Sequence, residues 1–169
     1  MNSDYVSGYV ALIGRPNTGK STLLNRLVGQ KVSITSRRPQ TTRHRIIGIK
    51  TDAQAQVMYV DTPGLHKSEG GMMSRYLNRA ASGSLEGVDC VLLLISSNGW
   101  KDEDEQALAH AQRQTVPVIL VINKIDKLKD PSRLLPLIEQ SRAKMHFAEI
   151  IPVSAQTGAI SASTNTRRR

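Results

Sequence analysis

The stretch that decides the fold is YVALIGRPNTGKSTLLNRLVG, residues 9 to 29. Tyr9 to Ile13 is an apolar run of strand length, and a glycine-bounded loop follows it. From Lys20 to Gly29 the leucines fall at helical spacing, and a glycine is a common helix stop. The spacing G-x-x-x-x-G-K-[ST] between a strand and a helix predicts a loop that binds phosphate groups.

The residue types in this loop suit the binding of phosphate groups and Mg²⁺. Glycines let backbone N–H groups curl around phosphates, and the start of a helix adds partial positive charge. Lys20 would reach the β- and γ-phosphates, and Ser21 would bind Mg²⁺. The alternative is an ordinary glycine turn, which the complete set of key residues disfavours. The predicted nucleotide contacts are Gly14, Arg15, Pro16, Asn17, Thr18, Gly19, Lys20, Ser21 and Thr22.

Outward from this unit, strand-like and helix-like segments alternate along the chain. This order predicts an α/β fold with a mixed, mostly parallel sheet and helices on both faces. A hairpin makes the sheet mixed, and residues 30 to 45 form a long polar loop. The predicted strands are Tyr9–Ile13, Ile46–Lys50, Gln56–Val60, Val88–Ile95, Val116–Ile122 and Glu149–Val153, and the later helices are Ser74–Ser82, Asp102–Gln114 and Ser132–Met145.

Three further motifs follow predicted strands. Asp61-Thr62-Pro63-Gly64 offers a carboxylate for Mg²⁺ and a glycine N–H for a γ-phosphate. Asn123-Lys124-Ile125-Asp126 offers a carboxylate that can accept two N–H groups from one edge of guanine, a pair that adenine lacks. Asn123 and the stem of Lys124 would pack against the base. In Ser154-Ala155-Gln156-Thr157-Gly158, backbone N–H groups would meet the guanine carbonyl. The motifs stand at strand ends, where open α/β sheets bind ligands.

Composition narrows the class of protein. The chain has 169 residues, enough for one domain, and its 39% apolar and 22% charged residues fit a soluble globular protein. The single Cys90 lies in an apolar run, which predicts a buried inert thiol and a reducing, cytoplasmic setting. The start of the chain has no signal-peptide pattern. A net charge of +9 favours a polyanionic partner, with RNA first and an inner-membrane surface second.

Taken together, these motifs resemble the Era family of ribosome-assembly GTPases. The resemblance covers about residues 6 to 158 and is carried by GRPNTGKSTLLN, KVSITSRRPQTTRHRIIGI, YVDTPGLH, NKID and SAQTG. It implies a P-loop NTPase G domain that hydrolyses GTP to GDP with Mg²⁺ and that acts on the small ribosomal subunit and its RNA. It also implies that Thr42 binds Mg²⁺ beside Ser21 and Asp61. Thr18 stands where the family usually has valine, with little expected effect.

Leu65 raises the question of how water is activated. Ras-like enzymes place a glutamine just after the glycine, and a leucine can neither donate nor accept a hydrogen bond. The resemblance implies that a K⁺ ion held by Asn17 neutralises developing charge instead. The residues expected to serve hydrolysis are Asn17, Lys20, Thr42, Asp61 and Gly64, and Thr62, Pro63, Leu65, Asn123, Lys124, Asp126, Ser154 and Ala155 complete the nucleotide site.

The end of the chain departs from the family. The resemblance implies that an amphipathic helix and a KH-type RNA-binding domain follow Gly158. Here Ala159 to Arg169 reads AISASTNTRRR, a polar segment that offers no packing face. We therefore expect a GTPase domain over residues 1–158 that lacks its last helix, and a disordered basic tail over 159–169. A sheet face left uncovered would favour self-association.

Two functions remain open on the sequence alone. The first is a GTP-hydrolysing switch domain from a ribosome-assembly GTPase. The second is a truncated module that binds guanine nucleotide or RNA with little or no turnover. An ATPase is disfavoured by Asp126.

Overall fold

The computed structural model describes residues 5–29, 45–61, 85 and 87–161. The helix predicted over residues 74–82 lies outside these ranges. None of the helices within them is long and apolar enough to cross a membrane. In chain order the elements are β1 (Val6–Ile13), α1 (Lys20–Val28), β2 (Arg45–Thr51), β3 (Ala55–Asp61), β4 (Cys90–Ser96), α2 (Asp104–Gln112), β5 (Val118–Asn123), α3 (Leu134–Lys144) and β6 (Glu149–Pro152), with short 3-10 helices at Ile125–Lys127 and Pro131–Arg133.

The described strands form one six-stranded sheet in the order β2-β3-β1-β4-β5-β6. β2 runs antiparallel to β3, and every other neighbouring pair is parallel. The predicted mixed, mostly parallel sheet is confirmed. β1 starts at Val6, earlier than the sequence predicts, because Val6 pairs with Ala55 of β3 even though its own side chain is exposed.

A tight turn joins β2 to β3. The Asp52 carboxylate accepts the N–H groups of Gln54 and Ala55 at 2.9 and 2.8 Å, and these bonds lower the pKa of Asp52. The Asp52 N–H also donates to the Ala55 carbonyl at 2.9 Å. An aspartate that bonds the backbone two and three residues on is a common turn device. The hairpin predicted around residues 51 to 54 is therefore present.

Helices cover both faces of the sheet. On one face, α2 and α3 contribute Leu108, Ala111 and Leu137 to the largest apolar core, which includes fully buried residues of β1, β4 and β5. On the other face, α1 packs Leu23 and Leu24 against the alternate residues of the same strands. Strands buried on both faces read as continuous apolar runs, as the sequence of β4 and β5 does.

The α1 face is covered less completely than the α2–α3 face. Val10, Leu92, Ile119 and Ile151 pack against its cores but stay partly exposed. Cys90 is partly exposed and so less buried than the sequence predicts. Partial burial still raises the pKa of its thiol, which disfavours the reactive thiolate.

A tryptophan connects the loop after β4 to α3. Trp100 Nε1 donates to Ser141 Oγ at 3.0 Å, and the Ser141 hydroxyl donates to the Leu137 carbonyl at 2.7 Å. Lys144 Nζ lies 5.0 Å from the centroid of the indole ring, within cation–π range. The same lysine forms an ion pair with Glu105 of α2 at 2.7 Å. These contacts fix α2 and α3 side by side beneath the sheet.

The chain continues past the predicted domain boundary at residue 158. Ile160 pairs antiparallel with Val153, and the Ser161 N–H donates to the Pro152 carbonyl at 2.9 Å. Residues 159–161 thus fold back onto the end of β6, although the sequence analysis assigns them to a disordered tail. Residues 162–169 lie outside the described ranges, so the tail and the boundary itself stay predictions.

Candidate nucleotide-binding site

The parallel strands bring the predicted motifs to one edge of the sheet. The phosphate loop follows β1, Asp61 ends β3, the Asn123 motif ends β5 and Ser154 follows β6. Asp61 pairs with Leu12 of β1, which places its backbone beside the start of the phosphate loop. The Asp61 side chain and all of Thr42, Thr62, Pro63, Gly64 and Leu65 lie outside what the structure describes.

The phosphate loop is shaped by two glycines that no other residue could replace without strain. A Cβ on Gly14 would lie 2.6 Å from the Leu94 carbonyl oxygen. Gly19 has φ of +94°, and a Cβ there would lie 2.2 Å from Asn123 Nδ2. Asn17 also has positive φ, at 63°, which asparagine tolerates better than most residues. The phosphate loop therefore lies so close to β4 and β5 that a side chain at Gly14 or Gly19 would clash with them.

Lys20 closes the loop on itself. Its Nζ donates to the carbonyls of Gly14 and Arg15 at 2.7 and 2.8 Å. The Thr18 hydroxyl, buried completely, donates to the same Arg15 carbonyl at 3.0 Å. The threonine that departs from the usual valine thus gains a hydrogen bond inside the loop. A lysine ammonium held across the loop opening is placed to meet phosphate oxygens.

Asn123 ties the phosphate loop to the loop after β6. Its Nδ2 donates to the Thr18 carbonyl at 2.8 Å, and its Oδ1 accepts the Ala155 N–H at 2.9 Å. Asn123 is only 2% exposed, so both bonds are sheltered from water. The sequence analysis expects Asn123 to pack against a base and the Ala155 N–H to face one. In the structure Asn123 Oδ1 accepts the Ala155 N–H, and the contacts of both residues with a base stay predictions.

The predicted guanine acceptor is already oriented. Asp126 is exposed, and its Oδ1 accepts the hydroxyl of the buried Ser154 at 2.6 Å. Ser154 Oγ also accepts the Thr157 N–H at 3.1 Å. Lys124 has φ of +68° and donates through Nζ to the Asn17 carbonyl, which joins the base motif to the phosphate loop a second time.

Arg26 of α1 holds the loop after β6 from the other side. Its Nε donates to the Ala155 carbonyl at 2.7 Å, and its Nη2 donates to the Gln156 carbonyl at 2.9 Å. Nothing in the sequence around Arg26 distinguishes it from other basic residues on helix surfaces. Because α1 begins at Lys20, one helix contributes both to the phosphate loop and to the base loop.

Arg15 belongs to the phosphate loop by sequence, but its guanidinium turns away from the loop opening. Arg15 Nε lies 3.0 Å from Asp104 Oδ1, at the first residue of α2. Asp104 has no exposed surface. The sequence analysis assigns Arg15 to nucleotide contact and does not single out Asp104. Only the backbone of Arg15 faces Lys20.

The residues present suit a magnesium ion. Ser21 is exposed near the start of α1 and offers a hydroxyl, and β3 ends at Asp61, an aspartate by sequence. Hydroxyl and carboxylate oxygens are the protein ligands that Mg²⁺ prefers, usually few in number with water completing the shell. The described ranges contain no group of three or more histidine, cysteine, aspartate or glutamate side chains that would hold a metal by themselves.

A basic cleft lies beside the base motif. It has a volume of about 410 Å³ and runs between the loop after β4 and the segment after β5. Four of its nine lining residues are cationic and one is acidic. The lining residues are Ser96, Ser97, Asn98, Lys124, Lys127, Leu128, Lys129, Asp130 and Arg133.

Comparison with known proteins shows which family the chain belongs to. Residues 9–124 match the sequence profile of the family described as 50S ribosome-binding GTPase, so the chain belongs to that family. Within it, the chain is similar to GTPase Era. It is 51% identical to Era of Histophilus somni (strain 129Pt) over 151 residues, which cover 89% of this chain and 50% of that protein. The resemblance read from the motifs is thereby confirmed.

Solved structures agree with the sequence comparison. The Era structure in complex with MgGDPNP and nucleotides 1506–1542 of 16S ribosomal RNA has a TM-score of 0.76 and 41% identity, covering 92% of this chain and 53% of that one. A variant of Aquifex aeolicus Era bound to GDP·AlF4⁻ has a TM-score of 0.73 and 42% identity, covering 90% and 52%. The chain spans about half the length of these relatives.

Proposed function

We propose that this chain is a GTP-binding and GTP-hydrolysing switch domain. The observation that carries the proposal is the Asn123 bridge, which holds a phosphate loop and an oriented Asp126 in one preformed site. A preformed site loses little free energy to ordering when ligand binds. The Era structures with MgGDPNP and with GDP·AlF4⁻ hold this class of ligand on a similar fold.

The described residues have distinct roles in this proposal. Asp126 accepts the ring N–H and the exocyclic amine of guanine, while Ser154 fixes the carboxylate that does so. The Gln156 N–H, which has no partner among the described residues, is free to meet the guanine carbonyl. Lys20 Nζ, held by the Arg15 carbonyl, donates to the β- and γ-phosphate oxygens when nucleotide binds.

The remaining roles concern charge and water. Mg²⁺, held by Ser21 and Asp61 with Thr42 in the GTP state, would neutralise charge on the phosphates. The Gly64 N–H would meet the γ-phosphate. Since Leu65 cannot hold water by a hydrogen bond, Asn17 is proposed to hold K⁺ beside the phosphates, where a cation offsets developing charge.

The base assignment is tested by Asp126→Asn. The asparagine amide matches the extra carbonyl of xanthine and no longer accepts the guanine amine, so GTP affinity should fall about tenfold or more and xanthosine triphosphate affinity should rise. Asp130→Asn is the matched control, because Asp130 is an exposed aspartate that also accepts a serine hydroxyl at 2.6 Å. Unchanged GTP binding in Asp126→Asn would overturn the assignment.

Turnover separates the two functions left open by the sequence. A switch domain should release phosphate through many cycles in KCl with Mg²⁺. A binding module should retain labelled GTP and release no more than one equivalent of phosphate. The Lys20→Ala variant provides the background rate, since it lacks the ammonium that faces the phosphates.

We further propose that the partner is ribosomal RNA of the small subunit. The support is the net charge of +9, the basic cleft beside the base motif and the similarity to Era, whose structure with 16S ribosomal RNA is known. Filter binding of an RNA of that sequence, against a scrambled RNA at equal salt, tests it.

A cytoplasmic location, contact with an inner-membrane surface and self-association through the α1 face stay predictions.

A further inference from the structure

Asp104 is the one carboxylate with no exposed surface among the described residues. It is the first residue of α2, on a helix whose other inward residues are Ala107, Leu108 and Ala111. A buried carboxylate is costly unless charge and hydrogen bonds compensate it. The groups that contact the Asp104 carboxylate therefore indicate why a charged residue is buried at this position.

Both carboxylate oxygens of Asp104 are used. Oδ1 lies 3.0 Å from Arg15 Nε, and Oδ2 accepts the Lys101 N–H at 2.8 Å. Within the described part of the chain, neither Arg15 Nε nor Asp104 Oδ1 has a hydrogen-bond partner, so the two groups interact as an ion pair without the alignment of a hydrogen bond. Arg15 is 15% exposed at its side chain, so the pair is largely dry and each charge compensates the other.

The ion pair involves the side chain of a residue whose own carbonyl contacts Lys20, the predicted phosphate-binding lysine. The Arg15 carbonyl accepts both Lys20 Nζ and the Thr18 hydroxyl. The side chain of Arg15 is anchored to α2, while its backbone forms part of the loop that holds Lys20. A shift of Arg15 toward or away from α2 would therefore move the acceptor of the phosphate-binding lysine.

The free energy of folding does not by itself explain why an Arg15–Asp104 ion pair occupies this position. Buried ion pairs are often no better for stability than apolar residues of similar size. The apolar residues of α2 already join the main core of the sheet. The 3.0 Å ion pair instead keeps the Arg15 side chain against the start of α2, which suits a residue whose backbone forms part of the phosphate loop.

We propose that Asp104 is a positioning residue for phosphate binding, acting through Arg15 on the loop that carries Lys20. The inference rests on the proposed function, since it assumes that the loop binds the phosphates of a guanine nucleotide. It assigns to α2 a part in nucleotide affinity although no residue of α2 lies in the loop. Arg15 then contributes to binding by its anchored backbone, with its guanidinium committed to Asp104.

The test uses the chain as it stands and labelled GDP as the probe. The double variant R15M/D104L replaces the pair by apolar side chains, so the fold keeps its packing and the anchor is lost. D104N keeps an acceptor oxygen for Arg15 and is the conservative rescue. E105Q is the matched control, because Glu105 is the next residue, is 52% exposed at its side chain and pairs with Lys144. GDP affinity and the urea midpoint without nucleotide are measured for each.

The expected result is a loss in affinity without a matching loss in folding. R15M/D104L should bind GDP about tenfold more weakly, as for one lost charge-assisted contact, with a urea midpoint close to the native one. D104N should recover part of the affinity, and E105Q should change neither quantity. Native GDP affinity in R15M/D104L overturns the inference, as does an affinity loss explained by the unfolded fraction. If the native chain binds no GDP, the proposed function fails and the inference fails with it.

Discussion

Asn123 and Thr18 are 105 residues apart in the chain, and the Asn123 Nδ2 donates to the Thr18 carbonyl at 2.8 Å. The donor stands at the end of β5, and the acceptor lies in the loop between β1 and α1. This bond joins the part of the site predicted to read the base to the part predicted to hold phosphate. This bond therefore couples the position of one half of the site to that of the other.

Removing the bridge should cost stability before any ligand is added. Asn123→Ala leaves the Thr18 carbonyl and the Ala155 N–H unpaired in a buried place, at about 1 to 3 kcal/mol each. Urea unfolding without nucleotide measures the loss. Asn98→Ala is the control, because Asn98 is exposed and its side chain has no hydrogen bond among the described residues. Equal unfolding midpoints for the two variants would contradict this account of Asn123.

Ser154 should matter for affinity by orienting Asp126. Ser154→Ala removes the 2.6 Å hydrogen bond to the carboxylate, and a typical bond of this kind contributes about 0.5 to 1.5 kcal/mol, so GDP should bind about 2- to 12-fold more weakly. Ser132→Ala removes an equally short serine–aspartate bond outside the site and should leave affinity unchanged. Titration of labelled GDP compares them, and parallel losses would show that the effect is not specific to Asp126.

Arg26 should restrain the loop after β6. Arg26→Ala removes two hydrogen bonds, to the carbonyls of Ala155 and Gln156. We expect faster amide hydrogen exchange over residues 154–158 and weaker GDP binding, because the loop must then be ordered at the expense of binding free energy. Arg142→Ala, which breaks an exposed pair with Glu139, is the control. Unchanged exchange in Arg26→Ala would show that the loop is held by the Asn123 and Ser154 contacts alone.

Hydrolysis should depend on potassium through Asn17. Turnover is expected to be faster in KCl than in NaCl at equal ionic strength, and Asn17→Ala should remove the difference. Leu65→Gln should not produce hydrolysis that is independent of potassium, because the cation and not residue 65 is proposed to supply the missing charge. Phosphate release assays in the two salts provide the measurement. Equal native rates in both salts would rule this mechanism out.

The free energy of unfolding should depend on pH through the titration of Asp104. Burial raises the pKa of this carboxyl above its ordinary 3.8, against the lowering effects of the Lys101 N–H and of Arg15. The folded chain then holds the proton to a higher pH than the unfolded chain. The protonated form adds stability that is fully present below pH 3.8 and is lost as pH rises through the raised pKa.

A comparison with Asp104→Asn isolates this contribution, since asparagine does not titrate. The difference in unfolding free energy between the native chain and the variant should decline with rising pH in that window and then level off. Urea unfolding at a series of pH values measures it. A difference that grows with rising pH would mean that the Arg15 charge outweighs burial and that the pKa is lowered.

The sequence predicted what local patterns control. The phosphate loop, the α1 segment ending at Gly29 and the β2–β3 hairpin depend on neighbours within a few residues, and all three are present. Element ends were less well predicted. The helix predicted over 102–114 is observed as Asp104–Gln112. At its start, Lys101 and Asp104 bond each other in a turn that precedes the helix.

The sequence could not predict contacts that depend on tertiary placement. Arg26 meets Ala155 across 129 residues, and no local pattern marks either partner. The strand order that brings β1 between β3 and β4 decides which loops become neighbours, and periodicity does not reveal order. For the same reason, no local pattern shows that Asn123 Oδ1 accepts the Ala155 N–H, because the two residues meet through the pairing of β5 with β6.

Trp100, the only tryptophan of the chain, gives it a built-in optical probe. The indole is anchored on α3 by Ser141, and its backbone neighbour Lys101 is bonded to Asp104. Its emission therefore monitors the loop that leads into α2 without any attached dye. A change in the emission spectrum on adding nucleotide would report a movement transmitted from the phosphate loop. An unchanged spectrum would indicate that the loop leading into α2 does not move when nucleotide binds.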